Sequence, residues 1–94
     1  MIKVKYLVVG ENKDDVYFLG YKLKLSPSEY KLILAIAERG CAHIELLAAA
    51  LELDIEKRGN VAVHICSVNR KAEIIGGRKL ILCKNSEYYF NELM

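Results

Sequence analysis

The sequence predicts an α+β domain: a small antiparallel sheet, then three helices, then a C-terminal β-hairpin. Three observations predict it. Short runs rich in β-branched or alternating residues fill positions 2–25. Apolar residues then recur at helical spacing from Tyr30 to Ile75. Two further apolar runs flank a polar tip after Gly76-Gly77. A chain of 94 residues has room for one domain, 1–94, divided into sheet (1–25), helices (26–76) and hairpin (78–91). With 53% hydrophobic and 28% charged residues the composition is that of a folded chain with a core, not a disordered one.

Ile2-Lys3-Val4-Lys5-Tyr6-Leu7-Val8-Val9 opens in apolar/basic alternation and reads as one strand. Residues 10–15 are a polar turn, Val16–Leu19 a second strand, Gly20-Tyr21 a tight connection and Lys22–Leu25 a third strand. Ser26-Pro27-Ser28-Glu29 then starts a helix, with Ser26 as N-cap, Pro27 in the first turn and Glu29 placed to close a capping box. Its apolar face reads as Tyr30, Ile33, Leu34 and Ala37, and Gly40 ends it. Ile44, Leu47, Ala48 and Leu51 mark a short second helix, whose start at Cys41-Ala42-His43 lacks a strong cap. After a link at 52–56, Val61, Ile65, Val68, Ala72 and Ile75 form the buried stripe of the longest helix, with Asn60 or Asp54 as candidate caps. Residues 79–83 and 87–90 make the hairpin around Lys84-Asn85-Ser86. Three helices followed by a hairpin is the winged-helix order, an elaborated helix-turn-helix whose third helix enters the major groove of DNA.

Charge is distributed unevenly. Residues 1–54 carry seven Lys/Arg against eight Asp/Glu, whereas residues 57–84 carry seven Lys/Arg against Glu73 alone. A basic segment on a near-neutral body suits a polyanionic partner, although a solvated surface accounts for charge alone equally well. The three cysteines, Cys41, Cys66 and Cys83, match no metal-binding spacing and read as buried or half-buried reduced thiols. No signal-like or membrane-length apolar run is present, so a cytoplasmic protein without membrane attachment, metal or cofactor is expected. His43 and His64 sit in no nucleophile or metal-ligand motif, and no glycine loop suits a phosphate, so no enzymatic activity and no small-molecule substrate are expected.

Leu25-Ser26-Pro27-Ser28-Glu29-Tyr30 resembles the L-T-P-T-E-F that opens the first helix of OmpR/PhoB-type effector domains. Glu45-Leu46-Leu47 resembles the Q-L-L of their second helix, and Asn60-Val61-Ala62-Val63-His64-Ile65 resembles the T-V-D-V-H-I that begins their recognition helix. Arg70-Lys71 and Tyr89 also fall where that family has a basic pair and the end of its wing. The resemblance spans nearly the whole chain. It implies a winged helix with an N-terminal sheet, acting as a transcriptional regulator on double-stranded DNA, with a homodimer on repeated half-sites as a further expectation. In the family such a domain is joined to a phosphorylated receiver, for which these 94 residues leave no room.

On this reading Lys57, Arg58, Arg70, Lys71 and Lys84 contact phosphates, and Asn60 and His64 donate to phosphates near the start of the third helix. Val63 meets a thymine methyl, and Ser67 and Asn69 read base edges. His64 fits a capping or core role equally well. The sequence departs from the family pattern at positions that commonly carry basic residues, which here hold Cys66, Ser67 and Asn69. The usual Arg-Thr start is Gly59-Asn60, the usual acid is Ala62, and the wing tip has Lys84-Asn85-Ser86-Glu87 in place of glycines and an arginine. Only Arg70 is left to make the bidentate contact that reads guanine. The small, apolar Gly59, Ala62, Val63 and Cys66 therefore support an alternative, a winged helix that binds another protein.

Overall fold

The computed structural model describes residues 1–51 and 59–91. Among them run β1 (Ile2–Val4), β2 (Leu7–Val9), β3 (Val16–Phe18), β4 (Tyr21–Lys22), α1 (Pro27–Arg39), β5 (Cys41–His43), α2 (Ile44–Ala50), α3 (Gly59–Gly76), β6 (Ile81–Lys84) and β7 (Glu87–Phe90). The result is a small α+β domain in which three helices pack with two antiparallel sheets, one ordered β1-β2-β3-β4 and the other β5-β7-β6.

The run at 2–9 is two strands rather than the single one expected. It reverses at Lys5-Tyr6, with Lys5 at φ 46°, so that Ile2 pairs with Val9 and Val4 with Leu7. The reason lies in the phase of the pattern. In one continuous strand Ile2 and Val4 would face away from Leu7 and Val9, since side chains alternate; the reversal brings all four to one side. Leu7, Val9, Val16 and Phe18 become core, with Ile2 and Val4 packed at its margin. The hairpin of β3 and β4 turns on Leu19 and Gly20, both at positive φ. The third strand is shorter than the Lys22–Leu25 run: Leu23 and Leu25 are buried but lie beyond the β4 ladder. Leu23 donates its N–H to the Val16 carbonyl at 2.9 Å.

The start of α1 matches its sequence signal. The Glu29 N–H donates to Ser26 Oγ at 3.2 Å, and the Ser26 N–H donates to Glu29 Oε1 at 2.7 Å. Its buried face is Glu29, Leu32, Ile33 and Ile36, whereas Tyr30, Leu34 and Ala37 lie along its edge. The spacing i, i+3, i+4, i+7 holds, but a glutamate heads the stripe, and an apolar pattern passes over it. Gly40, at φ 83°, donates to the Ile36 carbonyl and closes the helix.

Cys41-Ala42-His43 forms a strand, not the first turn of α2. It pairs with β7, setting Ala42 opposite Tyr88. His43 then caps α2: its Nδ1 accepts the Glu45 N–H at 3.1 Å. Neither candidate cap of α3 is seen in that role. Asn60 lies inside the helix, and Asp54 lies outside the described residues. The α3 stripe is as expected, with Val61, Ile65, Val68 and Ala72 buried and Ile75 half-buried, and Gly77 ends the helix at φ 75°. The hairpin turns on only two residues, Asn85 and Ser86, both at positive φ, with Lys84 opposite Glu87. Among the described residues no helix is long and apolar enough to cross a membrane.

Candidate nucleic-acid interface

Because Val61, Ile65, Val68 and Ala72 face the core, the opposite face of α3 is open. Ala62, Val63, Cys66 and Arg70 are exposed on it, with Ser67 half-buried, and together they line a shallow groove. Val63 is 65% exposed, high for a valine, so burial in the core is not what holds that position. Asn60 is exposed at the helix start, and His64 is half-buried on the flank. Lys84 projects at the hairpin tip beside Glu87. Lys57 and Arg58 lie outside the described residues. The structure thus gathers Val63, Ser67 and Arg70 on one surface, with Asn60 and His64 near its start and Lys84 on a separate projection.

Two flank residues have other partners. Asn69, expected to read bases, is 8% exposed and faces β6. Its Nδ2 donates to the Ile81 carbonyl at 2.9 Å and its Oδ1 accepts the Ile81 N–H at 2.8 Å. The amide thus imitates a strand neighbour and fixes the hairpin against α3. A polar residue on a predicted helix flank gives no sequence signal for this, since its partner is a backbone twelve residues away.

Lys71 reaches inward. Its Nζ donates to Glu29 Oε1 at 2.7 Å and to the Lys24 carbonyl at 2.6 Å, joining α3 to the cap of α1 and the chain leading into it. Glu29 is 3% exposed and its carboxyl stays charged. Burial by itself raises the carboxyl pKa, but the Lys71 hydrogen bond, the Ser26 backbone N–H, the Ser67 hydroxyl and the Lys71 charge outweigh it and hold the pKa below 4.5. Glu29 therefore serves both the capping box and an ion pair that anchors α3.

A second groove runs between α3 and the hairpin, with Ala62, Cys66 and Asn69 on one wall and Lys79, Cys83 and Tyr88 among the residues opposite. Lys79 is exposed there, at the foot of the hairpin. Sequence reasoning counted it in the basic segment but did not single it out; its position just after the helix-ending glycines was the available signal. The pocket between the two sheets, lined by residues including Val4, Leu7, Phe18 and Phe90, measures about 60 Å³. The groove on α3 and the one between α3 and the hairpin are larger, about 380 and 470 Å³, and open to solvent. Among the described residues no three His, Cys, Asp or Glu side chains are grouped to hold a metal ion. No protein-family model matches the chain, and no curated protein or solved structure matches it significantly.

Proposed function

We propose that this chain is a winged-helix domain of the OmpR/PhoB effector type that binds double-stranded DNA as a cytoplasmic transcriptional regulator. In this reading α3 lies in the major groove and the β6–β7 hairpin is the wing, resting on the flanking backbone. The observation that carries the reading is the open face of α3. An 18-residue helix, about 27 Å long, turns its apolar stripe inward and leaves Val63 and Arg70 outward, with Ser67 half-buried between that face and Glu29, beside a projecting hairpin. A major groove about 12 Å wide admits such a helix. Arg70 is the base-reading candidate, Val63 the methyl contact, and Lys84 and Lys79 the flanking cations, with Asn60 and His64 directed at phosphates near the start of α3. Lys57 and Arg58 extend the basic segment in sequence. Lys71 is read here as an anchor of α3 rather than a phosphate contact, because Glu29 and the Lys24 carbonyl already hold its ammonium. The area that one domain offers is small, which favours two copies on repeated half-sites.

A second reading, a protein-interaction module, has its own support: Ala62, Val63 and Cys66 make the open face small and largely apolar around a single arginine. Salt separates the two. Fluorescence anisotropy with mixed-sequence duplex DNA is expected to show binding that weakens steeply with salt, with a slope corresponding to roughly 3–6 phosphate contacts. Absence of binding at low salt would defeat the DNA reading and direct the search to a protein partner for this face.

A further inference from the structure

Two of the three cysteines stand on facing walls of one groove. Cys66 is on α3 and Cys83 on β6; both are exposed, as is Cys41, rather than buried as the sequence suggested, and both line the cleft between helix and hairpin. Their relative level is set by the Asn69 clamp, whose two hydrogen bonds lock Asn69 to Ile81. From that lock Cys66 is three residues back along the helix, about 4.5 Å of rise. Cys83 is two residues forward along the strand, about 6.6 Å. Ile81 faces the core, and Cys83, two residues on, shares that side of the sheet. Tyr88 pairs directly with Cys83 in the ladder and lies under the same cleft. Its phenol pKa is raised, by burial first and then by the Cys83 thiol and by Cys66. Cys41 is differently placed. It pairs with Tyr89, the neighbour of Tyr88 along β7, and so faces the opposite side of the sheet from Cys83.

We propose that Cys66 and Cys83 form a dithiol site that a peroxide-class oxidant converts reversibly to a disulfide across the groove. One thiolate attacks the peroxide oxygen, breaking the O–O bond and leaving a sulfenic acid, while the departing hydroxide takes up a proton as water. The second thiolate attacks the sulfenic sulfur, forms the S–S bond and expels the hydroxyl, which leaves as a second water. Two electrons pass from the sulfurs to the peroxide, and a dithiol reductant returns them. The bond ties the open face of α3 to the hairpin and closes the cleft between them. It does not rest on the proposed DNA-binding activity, and its test reads sulfur chemistry alone.

The reduced protein at low concentration is treated with hydrogen peroxide, alkylated, and digested with trypsin without reduction. Arg70, Lys71, Arg78 and Lys79 lie between the two cysteines, so they separate into different peptides unless linked. The expected result is a monomer lighter by about 2 Da before alkylation, a linked Cys66–Cys83 peptide pair, Cys41 alkylated, and full reversal by dithiothreitol. Cys41→Ser is expected to retain the crosslink, and Cys66→Ser and Cys83→Ser each to abolish it. Recovery of Cys66 and Cys83 as separate alkylated or over-oxidised peptides would overturn the proposal, as would links through Cys41 or between two chains.

Discussion

Glu29 and Lys71 show how one side chain comes to serve two structures. Oε1 of Glu29 closes the capping box of α1 and accepts the Lys71 ammonium from α3. Replacing Lys71 by Met leaves a charged, buried carboxylate without its counter-ion. Breaking a fully buried pair costs several kcal/mol. Since the Lys71 side chain is 34% exposed and partly screened, the expected loss is about 1–3 kcal/mol, read as a lower midpoint in urea unfolding. The pair also sets a pH dependence. The folded-state pKa of Glu29 is lowered from 4.5, so its contribution is fully present above the unfolded value. It is lost as pH falls through the lower folded value, where the unfolded chain binds the proton first. Stability of the wild type is expected to fall on acidification below about pH 4.5 more steeply than that of Glu29→Gln; parallel curves would mean the carboxylate contributes nothing. The capping role was legible from Ser26 and Glu29 alone, because a cap is local. The ion pair was not, because its partner is 42 residues away.

At the scale of elements, the clearest sequence signals were those whose physics is contained in a few neighbouring residues. The α3 stripe and the helix-ending Gly40 and Gly77 stand where expected. The hairpin tip was located but not its type. Asn85 and Ser86 both adopt the left-handed region, φ 53° and 63°, as a two-residue primed turn requires. Asn accepts this conformation readily and Ser less so. Ser86→Gly is therefore expected to raise stability by about 0.5–1 kcal/mol, seen as a higher melting temperature. A fall would mean that the Ser86 side chain makes a contribution larger than its backbone strain. Strand β5 was missed because three residues carry too little periodicity to declare themselves. Only β7, arriving from the far end of the chain, makes Cys41–His43 a strand. The reversal at Lys5-Tyr6 was legible in principle, from the shift in alternation phase between Val4 and Leu7.

For the whole molecule, the proposed function depends on a helix face the fold leaves uncovered. Arg70 is its one guanidinium, exposed on the side opposite the core. Arg70→Ala is expected to lower duplex-DNA affinity about tenfold, as loss of a bidentate base contact worth about 1–3 kcal/mol implies, while leaving the melting temperature unchanged. Unaltered affinity would place the docking element elsewhere. By itself the sequence determined the class of fold, the order of its helices and of the closing hairpin, the capping of α1 and the stripe that α3 buries. Each follows from the spacing of residues along one segment, where helix and strand geometry convert sequence distance into a face. Only the tertiary structure decided which polar residues on α3 look outward. Asn69, Arg70 and Lys71 are consecutive, yet the first meets a strand backbone, the second solvent and the third a buried carboxylate. A helix flank becomes surface or interface according to what folds against it, and those partners come from distant parts of the chain.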